Sequence, residues 1–264
     1  MVRLRVYGSG PAALAVIHGG PGAPGEMAPV AQRLSAAGCV LEPLLTAMTV
    51  DGQVEECVAA LEEYAGGPVV LIGHSWGAWL SLIVAARSPS SVRKVICVGS
   101  GAFEEEGTDD LMRVRLERLS PEEQAETKRL LAAISDPATD DDAVLARFGA
   151  LMAKADTFHP LPPDEGGRDA VPVRVNGEVH RRVWAEAREM RRNGRLLEIC
   201  GQVHCPVVAV HGDYDPHPAA GVAGPLSRVI DEFRFILLEN CGHCPWLERE
   251  ARDRFYEILI REVR

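Results

Sequence analysis

The sequence of 264 residues contains no long hydrophobic run. Its apolar segments, such as residues 69–72 and 80–86, are far shorter than the ~20 residues that a membrane-spanning helix needs. Basic side chains are also scarce: 28 Lys and Arg stand against 38 Asp and Glu, and the formal net charge is −10 at pH 7. Such a surface repels phosphate groups, so neither nucleic acid nor a membrane is expected as a partner.

Cysteine usage argues against a disulfide scaffold. The chain has seven cysteines, an odd number, and it is long enough to bury a core that needs no disulfide bonds. The amino-terminal residues also lack the long apolar segment and the cleavage site of a signal peptide. The sequence therefore predicts a cytoplasmic protein with free, mostly buried thiols.

The remaining composition, 47% apolar and 25% charged residues, is that of a globular protein. Over the first hundred residues, short apolar segments of strand character alternate with helical patterns, and the alternation resumes after residue 201. This indicates an α/β fold with a parallel sheet and helices on both faces. Between these two alternating segments, only helices are expected. We predict a core domain of residues 1–102 and 196–264, interrupted by a helical cap at residues 103–195.

Local signals set the bounds of individual elements. Residues 26–37 and 177–192 have helical patterns, and residues 245–263 form a predicted closing helix. Residues 120–123, Ser-Pro-Glu-Glu, have the pattern of a capping box, with Ser120 as the N-cap and Glu123 three positions later. This pattern predicts a helix start at Ser120.

Residues 73–77, Gly-His-Ser-Trp-Gly, lie between a predicted strand and a predicted helix. In this setting the pattern is typical of a nucleophile on a sharp strand-to-helix turn, with glycine on both sides because other backbone lies very close. The amino terminus of the following helix favours negative charge near the serine. Ser75 is therefore the candidate nucleophile.

With this motif in its strand–helix setting, the chain resembles an α/β-hydrolase-fold enzyme with a helical cap, over essentially everything outside residues 103–195. Residues 18–22, His-Gly-Gly-Pro-Gly, are similar to the corresponding stretch of proline iminopeptidase-like members of that superfamily. The resemblance implies a mostly parallel, twisted sheet with helices on both faces. It also implies a serine hydrolase that needs no metal and no organic cofactor.

The same resemblance implies two backbone donors for the oxyanion that forms during ester or amide cleavage. One is the N–H of Trp76, the residue after the nucleophile. The other is the N–H of Gly20, which follows the first buried strand. Pro21 has no N–H and cannot serve.

The order of catalytic residues in this fold is serine, acid, histidine, and it selects the other two candidates. His243 lies in the loop after the last predicted strand, and Asp215 follows the strand before it. Asp213 competes for the role of the acid and is interpreted as a turn residue. His217 is excluded as the base, because it lies only two positions after Asp215 and is expected to be too close to fold back as its partner. The predicted triad is Ser75, His243 and Asp215.

Substrate contacts are expected from Trp184 and Phe148 on cap helices and from Trp246, just after His243. The acidic run at residues 104–106 is usually a solvated face, but at the mouth of a cap it offers carboxylates for a substrate ammonium, as an aminopeptidase requires.

Residues 241–244, Cys-Gly-His-Cys, repeat the C-x-x-C pattern of disulfide oxidoreductases. Together with His204 and Cys205 they also contain ligand types suited to zinc. Neither interpretation is favoured, because the motif closes a hydrolase-like domain and lacks a zinc-finger spacing. No metal site is predicted.

The predicted function is a carboxylesterase that cleaves a small, partly apolar ester or amide through an acyl-enzyme. A proline iminopeptidase-type aminopeptidase is the alternative suggested by residues 18–22, although that group usually has Gly where His74 stands and a longer cap. A non-hydrolytic ligand-binding or lyase member of the fold is a third possibility, because fold does not determine function. The oligomeric state is left open.

Overall fold

The computed structural model describes residues 3–105, 110–135, 142–162 and 176–264. Seven strands form one sheet: β1 (Leu4–Tyr7), β2 (Ala12–Ile17), β3 (Cys39–Pro43), β4 (Ala65–His74), β5 (Val92–Val98), β6 (Val207–Gly212) and β7 (Phe233–Leu238). Their order is β1-β3-β2-β4-β5-β6-β7. Only β1 runs antiparallel to its neighbour within this described sheet. The mostly parallel sheet is therefore confirmed.

Ten α-helices are found in the described residues. They are α1 (Ala28–Leu34), α2 (Val50–Tyr64), α3 (Trp76–Arg87), α4 (Leu111–Glu117), α5 (Pro121–Ser135), α6 (Asp142–Ala155), α7 (Gly177–Arg192), α8 (Arg195–Cys200), α9 (Ala220–Val229) and α10 (Arg252–Val263). Short 3-10 turns occupy Pro89–Ser91 and Pro245–Leu247. Within the same described ranges, no helix has the length and apolar character needed to cross a membrane.

Both faces of the sheet are covered, because strand side chains alternate between two hydrophobic clusters. In β4, Val69 and Leu71 join one cluster, whereas Val70 and Ile72 join the other. The first cluster includes residues of α2, α3 and α8, and the second includes residues of α1 and α10. Burial of all four valine, leucine and isoleucine side chains is what a parallel sheet between two helical layers requires.

Helices α4 to α7 lie between β5 and β6, where the helical cap is predicted. The earlier part of this segment has a small hydrophobic cluster of its own, formed by Leu119, Leu151, Met152 and Ala155. Helix α7 instead contributes Val179, Val183 and Ala187 to the first cluster of the sheet. The last helix of the predicted cap is thus packed into the core of the α/β layers.

The local helix signals near the cap are confirmed. Ser120 N–H donates to Glu123 Oε2 at 3.0 Å, and Glu123 N–H donates to Ser120 Oγ at 3.3 Å, which completes the capping box. Helix α7 has the bounds predicted for it.

Two other helices begin later than predicted. In each case a glutamate near the predicted start accepts backbone N–H groups from other segments. Helix α1 begins at Ala28 rather than at residue 26, because Glu26 turns to accept the N–H of Gly19. The closing helix α10 begins at Arg252 rather than at residue 245. Glu248 is fully buried there and accepts three backbone N–H groups, those of Gly242, Phe158 and His159.

Candidate active site

Ser75 lies on a tight turn between β4 and α3, with φ of 52° and ψ of −114°. A positive φ at a residue other than glycine costs about 1–3 kcal/mol and persists only when the surroundings hold it. Ser75 N–H donates to Val98 O at 2.9 Å, which ties the turn to β5. A Cβ on Gly73 would lie 2.1 Å from Gly77 O, and a Cβ on Gly77 would lie 2.3 Å from Ile17 O. Both flanking glycines are therefore required by close backbone.

The loop after β2 runs directly against Ser75. A Cβ on Gly19 would lie 3.2 Å from Ser75 Cβ and 2.7 Å from Glu26 Oε2, so this position has no room for a side chain. Gly20 follows with a left-handed φ of 34°. Trp76 is the first residue of α3, and the first N–H groups of a helix have no acceptor within it. The two residues predicted as oxyanion donors thus belong to the two chain segments that meet at Ser75.

Asp215 and His243 are joined by a hydrogen bond of 2.7 Å between Asp215 Oδ2 and His243 Nδ1. Burial alone would raise the pKa of Asp215, but the charges and hydrogen bonds of His243 and His217 hold that pKa well below its usual range. Burial acts to lower the pKa of His243, but the charge and hydrogen bond of Asp215 outweigh it, so the pKa of His243 is raised. The pair favours a protonated imidazole next to a buried carboxylate.

The reason for excluding His217 as the base is wrong, because this residue does fold back on Asp215. His217 Nδ1 lies 2.8 Å from Asp215 Oδ1, and the His217 backbone N–H donates to the same oxygen at 2.9 Å. The rings of His217 and His243 stack with centroids 4.7 Å apart. Burial, and then the charge of His243, lower the pKa of His217 to about 4, although Asp215 acts to raise it. Each carboxylate oxygen of Asp215 is therefore hydrogen-bonded to the ring of one histidine.

Asp213 has the turn role that was predicted for it. Its Oδ1 accepts the N–H of Cys241 at 3.1 Å, and the residue is exposed. It therefore connects the loop after β6 with the loop that carries His243.

Glu26 and His74 connect three loops of the site. No local pattern indicates Glu26 as a site residue, because its partner His74 is 48 residues away. Glu26 Oε2 accepts the N–H of Gly19 at 2.7 Å and lies 3.1 Å from His74 Nδ1. His74 Nε2 lies 3.1 Å from the backbone oxygen of His243. Burial acts to raise the pKa of Glu26, but the charge of His74 and the hydrogen bonds lower it to about 2.

We expect Glu26→Gln to lower the free energy of unfolding at neutral pH by about 1–3 kcal/mol, since a charged acceptor is lost. The folded pKa of Glu26 is depressed, so this stabilisation is present above the ordinary value of 4.5 and disappears as pH falls towards about 2. Urea denaturation across this range measures it. Glu55→Gln on the exposed face of α2 is the matched control. A difference between wild type and Glu26→Gln that persisted in acid would contradict the assignment.

The backbone of His243 is held by the predicted cap. His243 N–H donates to Asp156 O at 2.8 Å, just after α6. The Asp156 carboxylate accepts Arg115 Nε, on α4, at 2.7 Å. The neighbouring Gly242 N–H donates to the buried Glu248 at 2.8 Å. The position of the histidine loop thus depends on α4 and α6 as well as on the sheet.

A cavity of about 40 Å³ opens beside Ser75. Its walls include Ser75, Trp76, Trp79, Trp184, Arg191 and His217. Trp79 and Trp184 stack with ring centroids 5.8 Å apart and 14° between their planes. The nucleophile candidate therefore borders a space with mainly apolar walls that include three tryptophans.

The three residues predicted to contact substrate lie in different places. Trp184 lines the cavity beside Ser75. Phe148 packs against the small hydrophobic cluster of the predicted cap. Trp246 is 2% exposed and packs edge-on against His74 at 4.7 Å between centroids, with Phe255 on its other side. Trp246 is thus placed behind the turn of Ser75 rather than on the cavity wall.

Arginines neutralise the acidic run at residues 104–106 wherever the structure describes it. Glu104 pairs with Arg228 at 2.7 Å, and Glu105 pairs with Arg191 at 2.9 Å. Glu106 lies outside the described residues.

Both thiols of the C-x-x-C motif are free. Burial raises the pKa of the Cys241 and Cys244 thiols, which disfavours the thiolate that redox chemistry requires. Two groups in the described residues have atoms close enough for a metal ion: Glu26 with His74 and Cys244, and Asp215 with His217 and His243. Neither group includes His204 or Cys205, the further ligands considered from the sequence.

A family profile described as "Alpha/beta hydrolase family" matches residues 14–258, and the chain belongs to that family. Solved structures of the same fold include VinJ, which is 21% identical, with 98% of this chain and 93% of that chain covered and a TM-score of 0.69. An esterase from Thermogutta terrifontis is 16% identical, with coverage of 99% and 93% and a TM-score of 0.63. A putative lipase from Acinetobacter baumannii is 18% identical, with coverage of 98% and 87% and a TM-score of 0.60. A search of curated proteins finds no significant match.

Proposed function

We propose that this α/β hydrolase is a carboxylesterase-like serine hydrolase with Ser75, His243 and Asp215 as its triad. The observation that carries the proposal is the 2.7 Å hydrogen bond between Asp215 and His243, formed beside the strained turn of Ser75. The loop of His243 reaches the Ser75 turn, because His74 Nε2 lies 3.1 Å from the backbone oxygen of His243. Serine, acid and histidine follow one another along the chain in the order expected for this fold. Structural neighbours described as esterases, lipases and carboxylesterases support the same reaction class.

In the proposed mechanism, His243 Nε2 accepts the proton of Ser75 Oγ as the oxygen attacks the substrate carbonyl carbon. The carbonyl oxygen becomes an oxyanion, which the N–H groups of Gly20 and Trp76 stabilise. Collapse breaks the bond to the leaving group, which takes the proton from His243. Asp215 orients the His243 ring and stabilises its positive charge during these steps.

The second half of the reaction regenerates the serine. A water molecule gives a proton to His243 and attacks the carbonyl carbon of the acyl-enzyme. The tetrahedral intermediate then releases the carboxylic acid, and His243 returns the proton to Ser75 Oγ. No metal and no organic cofactor takes part in these proposed steps.

Hydrolysis is expected to increase with pH through a midpoint above 6.5, because only neutral His243 accepts a proton and Asp215 raises its pKa. Below the pKa of His243 the base is protonated and inactive; above it the base is available. Asp215→Asn removes the charge and should move the midpoint to lower pH. Asp213→Asn, two residues away, is the control that should keep the midpoint. A kcat/KM profile for a 4-nitrophenyl ester measures both, and an unchanged midpoint in Asp215→Asn would count against this pair.

Two model substrates distinguish the proposed esterase from an aminopeptidase. An aminopeptidase needs carboxylates for a substrate ammonium, but Glu104 and Glu105 are already paired with arginines. We therefore expect turnover of 4-nitrophenyl butyrate and no turnover of proline 4-nitroanilide, measured side by side. Rapid cleavage of the prolyl anilide alone would favour the peptidase. Failure to cleave either substrate would favour a binding or lyase role on the same fold.

A further inference from the structure

The mainly apolar wall of the cavity beside Ser75 includes one positive charge, that of Arg191. Arg191, in the last turn of α7, lines this cavity together with Ser75, and 14% of its side chain is exposed. Its guanidinium carbon lies 5.8 Å from the ring centroid of Trp79. A guanidinium at this distance is attracted to the face of the indole, so Trp79 helps to hold the charge at the wall.

Arg191 forms an ion pair with Glu105, whose side chain is about half exposed to solvent. Arg191 Nε and Nη2 both lie 2.9 Å from Glu105 Oε1, and 48% of the Glu105 side chain is exposed. An ion pair with an exposed member contributes little to stability, because water competes for the charge. A carboxylate that reaches Arg191 from inside the cavity has less water around it and therefore interacts more strongly.

The cavity adjoins the part of the substrate that stays on the enzyme. In the acyl-enzyme, the acyl group remains bonded to Ser75 Oγ while the alcohol or amine departs. We place the acyl chain in the space beside Ser75, because its walls are mainly apolar and include Trp76 and Trp184. Arg191 is the cation that such a chain meets in this space.

We propose that the acyl group carries a carboxylate, which Arg191 binds in place of Glu105, so that the substrates are half-esters or half-amides of dicarboxylic acids. This inference depends on the serine hydrolase function proposed above. It also gives a physical reason for rejecting a substrate ammonium, which Arg191 would repel.

The kinetic test compares mono-4-nitrophenyl esters of succinic, glutaric, adipic and suberic acids with the same compounds capped as methyl esters. For at least one chain length, we expect wild type to prefer the free carboxylate by about tenfold or more in kcat/KM. Arg191→Gln should bring the ratio of free to capped substrate close to one. Arg192→Gln on the neighbouring exposed position should keep the wild-type ratio. Equal or faster cleavage of the capped esters by wild type at every length would overturn the proposal.

Glu105→Gln tests whether a substrate carboxylate replaces Glu105 at Arg191. Loss of the competing carboxylate should increase the preference for the free acid beyond that of wild type. This variant keeps Arg191 in place, so it gives an informative result even if Arg191→Gln folds poorly. A fall in the preference would contradict the exchange at Arg191.

Binding to Ser75→Ala separates this inference from the proposed catalytic function. Calorimetry with the stable mono-4-nitroanilides of the same acids should show at least about tenfold tighter binding of the free carboxylate than of its methyl ester. If wild type cleaves no ester but Ser75→Ala shows this difference, the hydrolase proposal fails and the carboxylate site stands. If wild type cleaves esters but neither assay shows a preference, the carboxylate site fails and the hydrolase proposal stands.

Discussion

Ser75→Ala is expected to lower kcat/KM for 4-nitrophenyl esters by about 10⁴–10⁶-fold and to abolish labelling by a fluorophosphonate probe. The probe forms a covalent bond to an activated serine oxygen, and alanine has no such oxygen. The substitution keeps the Cβ and the φ of 52°, so the strain of the turn and the fold should be unchanged. The melting temperature checks this directly.

Ser88→Ala, just past the other end of α3, is the matched control, since Ser88 lies at the carboxyl end of the same helix. It should retain both activity and labelling. A Ser75→Ala protein that is folded and still labelled would place the nucleophile elsewhere. A wild-type protein that is never labelled would favour a non-hydrolytic member of the fold.

The second large effect is expected from His243→Asn, with a loss of about 10⁴–10⁶-fold in kcat/KM, against about tenfold or less for His217→Asn. Both histidines bond to Asp215, at 2.7 Å for His243 and 2.8 Å for His217, so geometry at the carboxylate does not separate them. Their pKa values do. Burial and the charge of His243 lower the pKa of His217 to about 4, which makes it a weak base at neutral pH.

The pair of variants is its own control, because each replacement removes one imidazole from the same carboxylate. Asparagine retains an N–H donor, so Asp215 keeps a partner on either side. If His217→Asn abolished activity and His243→Asn did not, the base of the proposed triad would be His217.

Elements with strong local patterns were predictable, and elements with distant partners were not. Helix α7 and the Ser120 capping box follow from residues within one or two turns of each other. The predicted starts of α1 and α10 are too early, because the carboxylates of Glu26 and Glu248 accept backbone N–H groups elsewhere in the fold. The Phe158 partner of Glu248 is 90 residues away, a separation at which local periodicity carries no information.

His217 shows how a short separation can mislead. A spacing of two residues predicts no side-chain contact with Asp215, yet a tight turn lets both the backbone and the ring of His217 bond to one carboxylate oxygen. Trp246 shows the opposite case. Its position next to His243 suggested a substrate contact, but its side chain packs inward between His74 and Phe255.

The amino-acid sequence by itself determined the α/β class and the strand–turn–helix motif around Ser75, because alternating apolar patterns and turn motifs depend on residues a few positions apart. The tertiary structure decided which side chains surround that serine. It brought Glu26 to His74, His217 to Asp215 and Arg191 to the cavity wall, since charges and hydrogen bonds act through space between segments that only the folded sheet places side by side.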